Sequence, residues 1–330
     1  MELEIRNRFN DGILREAMRR YAIPADRIRL LDGFESFIYE FDRNDGAYIL
    51  RIGHSLRRTV ELIQGEVDWI NYLAAGGAGV ARAILSENGV LVECIDDGQG
   101  GQFLATAFVK AAGGPPSAWT PALYERYGEL IGRLHALSRT YNPSNPAWRR
   151  PAWDAPGQLE PERWLPSSEA VALQKYRQLK TYLDCLPRDA GSYGLIHQDA
   201  HTGNLFVDDT GRFTLFDFDD CVYGWYIYDI AMVVFYMIVN ADDPVARTGE
   251  FLPAFWHGYC RENQLDRAWL KEIPPFMKLR EIDLYAILHR SFGDFDAIEN
   301  PWIRRFLKGR KARIEGDVPV ATFDFEGSGR

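Results

Sequence analysis

Short apolar or alternating runs dominate the chain up to residue 109, and apolar stripes at three- and four-residue spacing dominate beyond it. Residues 28–41 read as strand, turn and strand; after the Asn44-Asp45-Gly46 turn, residues 47–53 read as an apolar strand interrupted by one cation, Arg51. Residues 56–75 carry Val60, Ile63, Val67, Ile70 and Leu73 and end at Gly76-Gly77, which predicts a single amphipathic helix. Residues 89–95 and 102–109 predict two further strands joined by the glycine-rich run 98–101. Beyond a break at Gly113-Gly114-Pro115-Pro116, helices are predicted over 124–137, 167–186, 227–239, 276–292 and 302–313. The Pro- and Trp-rich insert 141–166 either lines a site or wraps the helices. The fold class is therefore α+β, with a small sheet and one main helix in residues 1–109 and a larger, mostly helical part in residues 110–330.

One polar stretch interrupts this pattern. His197-Gln198-Asp199-Ala200-His201-Thr202-Gly203-Asn204 follows the apolar approach 194–196 and precedes two short strands, 204–207 and 212–216, joined by the tight turn Asp208-Asp209-Thr210-Gly211. The second strand runs into Asp217-Phe218-Asp219-Asp220. Such a hairpin carries Asn204 at the start of one strand and Asp217 at the end of its partner, so two oxygen ligands can converge on a hard cation. Asp199 lies five residues before Asn204, and Asp217 thirteen after it. A proton-accepting Asp, an Asn and a second Asp are the groups that phosphoryl transfer needs to orient a hydroxyl and hold Mg²⁺ on a nucleotide triphosphate.

The pattern His-x-Asp-x-His-x-Gly-Asn, an apolar strand ending Asp-Phe-Asp-Asp, and then Tyr228-Asp229-Ile230-Ala231 resembles the aminoglycoside phosphotransferase and choline kinase-like family of the protein-kinase-like fold. Type II homoserine kinases and bacterial stress-response kinases belong to the same group. The resemblance implies a bilobal protein-kinase-like architecture, with an antiparallel sheet in the amino-terminal lobe. It makes Asp199 the catalytic base, Asn204 and Asp217 the metal ligands, and Asp229 a buried acid bracing the catalytic loop. His201 and His135 are read as structural, the first supporting its loop and the second within a core helix.

The same resemblance assigns the amino-terminal lobe. Arg51 is the expected phosphate contact, in place of the lysine of protein kinases, and its planar fork can bind phosphate oxygens bidentately. Glu66, on the helix after it, is the expected ion-pair partner, with Glu61 as competitor. Gly33 and Ser36 sit where backbone amides could approach phosphates, although no Gly-x-Gly-x-x-Gly is present. Ala105, Ala107 and Val109 fall in the expected hinge that binds the adenine edge, with 110–116 as the linker.

Composition narrows the function classes. A net charge of −9 disfavours a nucleic-acid binder, and the 46% hydrophobic content of 330 residues suffices for two cored lobes. The opening residues show no signal-peptide pattern, the apolar run 227–239 is too short to span a bilayer, and scattered Cys94, Cys185, Cys221 and Cys260 point to reduced thiols; a cytoplasmic enzyme is expected. Residues 326–330 offer no large apolar side chain to dock, so mobility is expected in the last few. The expected reaction moves the γ-phosphoryl of ATP or GTP to a hydroxyl of a small molecule. Glu281, Asp283, Asp294, Asp296 and Glu299 form a candidate acidic rim for the acceptor. The competing readings are a protein Ser/Thr kinase of the stress-response type and a nucleotide-binding pseudokinase scaffold.

Overall fold

A computed structural model describes residues 2–31, 33 and 35–327. The chain opens with two helices that the apolar pattern had not been read to contain, α1 (Leu3–Arg8) and α2 (Asp11–Arg20). Asn10 caps α2 by accepting from the backbone N–H groups of Gly12 and Ile13. Ile13 and Ala17, one turn apart, and then Tyr21 are buried, which gives α2 a face to pack on the sheet.

The sheet holds β1 (Ile28–Leu31), β2 (Phe37–Arg43), β3 (Gly46–His54), then β4 (Ala83–Ile84), β5 (Val92–Asp96) and β6 (Gln102–Val109), with helix α3 (Val60–Ala75) between β3 and β4. Its order is β1-β2-β3-β6-β4, with β5 also on β6, and every pairing is antiparallel. Alternation along β3 decides the two faces: Tyr48, Leu50 and Ile52 lie in a core shared with α1 and α2, while Arg51 points to the opposite side, toward α3. Helix α3 belongs to the other, larger core. Val67, Trp69, Ile70 and Leu73 are buried there together with the helical lobe, and Trp69 meets Phe218 edge-on at 5.4 Å between ring centroids.

The helical lobe comprises α4 (Pro121–Ser138), the short α5 (Pro161–Trp164), α6 (Ala170–Asp184), α7 (Tyr226–Ile238), α8 (Pro244–Glu262), α9 (Ile273–Ser291), α10 (Pro301–Leu307) and α11 (Arg310–Glu315). Two small antiparallel pairs sit among them: β7 (Tyr193–Ile196) with β10 (Val222–Trp225), and β8 (Leu205–Val207) with β9 (Phe213–Leu215). The single helix expected over 302–313 is broken, because Gly309 adopts a left-handed conformation at φ +66° that stops α10 and starts α11 afresh. Helix α8 escaped the sequence reading; it carries Pro253 in its interior and glycines at 249 and 258, all poor helix formers. Of residues 326–330, on which the terminal expectation falls, 328–330 lie outside the described residues, and Glu326 is held through its carbonyl by Arg267 at 2.8 Å.

Helices α4 and α8 cross at backbone contact. A Cβ on Gly128 would fall 1.8 Å from the Phe255 carbonyl oxygen, and one on Gly258 would fall 1.9 Å from that of Glu125. Only glycine fits. Gly128→Ala is expected to cost at least about 2 kcal/mol, because the clash is with backbone and the helices must separate. Gly293→Ala, where an added Cβ meets nothing within 4 Å, should stay within about 0.5 kcal/mol of wild type. Urea melts of the two variants check the contrast.

Candidate active site

The loop that follows β7 is held from below by one buried carboxylate. Asp229, fully buried in the first turn of α7, accepts from the backbone N–H of His197 through Oδ2 at 2.8 Å and from that of Gln198 through Oδ1 at 2.6 Å. His135 of α4 lies 3.1 Å from the same Oδ2 and, through Nδ1, 2.9 Å from the Tyr259 hydroxyl. Burial pushes the His135 imidazole pKa down, outweighing the attraction of Asp229, so the ring is neutral with its proton on the Asp229 side. His197 is likewise held neutral by burial; its Nε2 faces the Phe216 carbonyl at 3.2 Å and its Nδ1 accepts from the Asp199 N–H at 3.2 Å. Gln198 takes a left-handed φ of +68°, a strained turn that this double anchorage sustains.

Asp199 emerges from that loop half-buried at the cleft. Its Oδ1 accepts from Arg280 Nη2 at 2.6 Å. Its Oδ2 accepts from Asn204 Nδ2 at 3.3 Å and lies 3.4 Å from His201 Nε2. Burial works to raise its pKa, but His201, Arg280 and His197 together hold the carboxyl well below the usual carboxylate range. His201 also caps the turn, its Nδ1 accepting from Gly203 N–H at 2.9 Å.

Asn204 and Asp217 arrive at the same end of the β8–β9 hairpin: Leu205 is paired with Leu215, and Phe216 N–H donates to the Asn204 carbonyl at 3.0 Å. Asn204 turns its amide nitrogen to Asp199, which leaves its Oδ1 as an acceptor. Asp217 sits at φ +65°, a conformation that non-glycine residues adopt rarely. Its carboxyl is pushed up to about 7 by crowding within the protein and by Asp219, Asp220 and Asp199, against the pull of Arg51. Because the side chain is exposed to the cleft, the like-charge repulsion is the firmer of these causes. A carboxylate short of positive charge beside a free amide oxygen fits a hard divalent cation.

On the sheet side, Arg51 and Glu66 form a buried fork-to-fork pair, Nη1 to Oε1 at 2.8 Å and Nη2 to Oε2 at 2.6 Å. Glu61, at the exposed start of α3, takes no part. Ser36 lines a narrow cavity with Arg51, Arg57, Arg58 and Asp219, and a Cβ on Gly33 would fall 2.3 Å from the Ser36 carbonyl oxygen, so the loop closes only on glycine. The expected hinge needs correction. Ala105 and Ala107 lie inside β6, paired with β3 on one side and with β5 or β4 on the other, so their backbone edges are in the sheet. Only Val109 stands at the strand's end, and there its N–H donates to the Arg82 carbonyl and that of Lys110 to Ala47.

Several charged residues went unread. Arg57 reaches both Glu35 and Asp219, the latter at 2.5 Å, and Arg58 reaches Asp220 at 2.6 Å. These guanidinium groups hold the Asp219 carboxyl well below its usual range despite its burial. Arg150, from the Pro- and Trp-rich insert, donates to the carbonyls of Asp219 and Cys221 at 2.7 and 2.8 Å and so fixes the segment after Phe218. The consecutive cations at 57 and 58, close behind Arg51, were the available signal; Arg280, between the apolar residues Leu279 and Ile282 of an expected helix, was another. The acidic rim also needs revision: Glu281 is buried against Lys278 and Arg310, and Asp283 is buried against Arg280, which leaves Asp294, Asp296 and Glu299 exposed.

A sequence model described as the phosphotransferase enzyme family matches residues 27–273, well over half the chain. The chain belongs to that family. Amicoumacin kinase of Bacillus subtilis (strain 168) is 39% identical to it over 321 residues, covering 96% of this chain and 95% of the relative. Among solved structures, the amicoumacin kinase hAmiN in complex with AMP-PNP, Ca²⁺ and Ami superposes with a TM-score of 0.93 at 34% identity, covering 98% of this chain and 99% of that one. A microcompartment-associated aminopropanol kinase shares the fold, with a TM-score of 0.75 at 23% identity, covering 93% and 97% of the two chains. The family member described here thus has the bilobal protein-kinase-like fold that its catalytic-loop pattern implied.

Asp229→Asn would put an amide N–H against one of two backbone N–H donors. It is expected to cost about 2–4 kcal/mol of stability, since a buried donor is left facing a donor. Denaturant titration of the purified variant measures the loss, and a midpoint equal to wild type would refute the bracing role.

Proposed function

We propose that the chain transfers the γ-phosphoryl group of ATP to a hydroxyl of a small amino-alcohol compound, with amicoumacin-type antibiotics the first acceptors to test. It is a kinase, an ATP-dependent phosphotransferase with an alcohol group as acceptor. The observation that carries the acceptor class is the 39% identity with amicoumacin kinase over 96% of the chain, together with the placement of Asp199, Asn204 and Asp217 on one loop and its hairpin. ATP is taken as the phosphoryl donor because the related hAmiN structure holds AMP-PNP.

Each group has a distinct part in this reading. Asp199 stays ionised, accepts a hydrogen bond from the acceptor hydroxyl and orients its oxygen in line with the phosphoryl group. With its pKa so low it is a weak base, and it takes the proton only as the new O–P bond forms. Asn204 Oδ1 and the Asp217 carboxylate would hold Mg²⁺, which would supply neutralising charge to the triphosphate. Arg51, fixed by Glu66, faces the phosphates from the sheet, and the loop at Gly33 and Ser36 covers them. Adenine docks at the connector beginning with Val109, the boundary between residues 1–109 and the catalytic lobe 110–330. Catalysis then rests on positioning and preorganised charge, with no covalent enzyme intermediate. Among the described residues no helix is long and apolar enough to cross a membrane, and a cytoplasmic enzyme acting on a diffusible acceptor is consistent with that.

The decisive assay mixes the enzyme, Mg²⁺ and ATP with amicoumacin-type compounds, simple amino alcohols, aminoglycosides and a generic protein substrate, and follows ADP release and acceptor mass. A gain of one phosphoryl group on an amino alcohol is expected; transfer only to protein would replace this reading. Asp199→Ala should lower turnover at least about a hundredfold while nucleotide still binds. Asp217→Ala should chiefly weaken metal-dependent nucleotide binding, read by titration calorimetry with and without Mg²⁺, and unchanged metal dependence would remove Asp217 from the cation site.

A further inference from the structure

Asp199 carries, on its α9 side, a cation that none of the roles above employs. Arg280 sits mid-way along α9 between core residues such as Leu279 and Ile282 and is only 9% exposed. A guanidinium so placed must be fully partnered. Its Nη2 donates to Asp199 Oδ1 at 2.6 Å and to the Tyr236 hydroxyl at 2.7 Å; its Nε reaches the same hydroxyl at 3.1 Å, and its Nη1 reaches Asp283 Oδ2 at 3.2 Å. Tyr236 comes from α7 and packs against the His201 ring with centroids 4.5 Å apart, so α9, α7 and the catalytic loop all meet at this one side chain.

The contacts on Asp199 are asymmetric. One oxygen is gripped by a cation at short range, while the other has only Asn204 at 3.3 Å and His201 at 3.4 Å. Arg280 cannot turn away from Asp199, because Tyr236 and Asp283 fix its remaining edges. The plane of the Asp199 carboxylate is therefore set from the α9 side.

We propose that Arg280 is a positioning residue for phosphoryl transfer. Acting through Oδ1, it fixes the plane of Asp199 so that the acceptor hydroxyl meets a correctly aimed oxygen. The proposal rests on the reading of Asp199 as the hydroxyl-binding group. It differs from a plain structural strut between α9 and α7, which would lower the folded fraction without depending on what stands at position 199.

A double-mutant cycle separates the two. With an acceptor that the wild type phosphorylates, Arg280→Gln should lower kcat at least about tenfold while KM for ATP moves less than about twofold. In an Asp199→Asn background, assayed by single turnover, the same change should cost less than about threefold, because its route of action is already gone. Arg280→Lys, which keeps the charge without the fork, should fall between wild type and Arg280→Gln, and it serves alone if the Gln variant melts below the assay temperature. Equal losses in both backgrounds, or wild-type kcat in Arg280→Lys, would overturn the proposal. A wild type that phosphorylates nothing counts against the functional reading of the whole site, whereas additivity in an active wild type counts against Arg280 alone.

Discussion

The catalytic loop keeps its shape because one carboxylate, fully removed from water, has both oxygens engaged by that loop and by a neutral histidine. Asp229 could not persist in the core unless His197, Gln198 and His135 satisfied it, and the loop could not hold Gln198 at positive φ without Asp229. The dependence is mutual. It carries outward through the Tyr259 hydroxyl into the α4–α8 contact, so the geometry of Asp199 is anchored in the densest part of the helical lobe.

Around this anchor the charges divide by origin. The sheet side contributes cations, Arg51, Arg57 and Arg58, and the loop after the hairpin contributes acids, Asp217, Asp219 and Asp220. Arg51 is neutralised by its own lobe through Glu66, Arg58 across the cleft by Asp219 and Asp220, and Arg57 by both, through Glu35 and Asp219. Asp217, which no guanidinium among the described residues contacts directly, is left with excess negative charge from Asp219, Asp220 and Asp199. The two directions follow from this arrangement: Asp219 falls because guanidinium groups face it despite its burial, and Asp217 rises because desolvation and the neighbouring acids both disfavour its charge.

Much of this was legible in the chain. Asp199, Asn204 and Asp217 are separated by a loop and a tight hairpin, so local turn chemistry alone brings them together, and Arg51 and Glu66 meet because strand alternation and helix periodicity each fix a facing direction. Contacts set by tertiary packing were not legible. Arg280 meets Asp199 across 81 residues and Arg58 meets Asp220 across 162, and nothing local in either segment names its partner. The hinge was misplaced for a related reason: a run such as Ala105–Val109 looks the same whether its edges are open or covered by β3, β4 and β5. The acidic rim failed because burial decides whether Glu281 and Asp283 are surface or core, and an amphipathic pattern with charges on its apolar side hides that.

The glycine seam between α4 and α8 has a consequence for how such a chain can change. Where two helices touch through main-chain atoms, no side chain exists whose size could be adjusted, so sequence drift there has almost no neutral steps. The helix bearing His135 is therefore locked in distance from its partner bearing Tyr259, while Trp302 and the exposed acids at 294, 296 and 299 face no such restriction. Change in such a lineage is therefore steered to surfaces away from this seam, and the spacing of the two helices that brace the catalytic loop passes on unaltered.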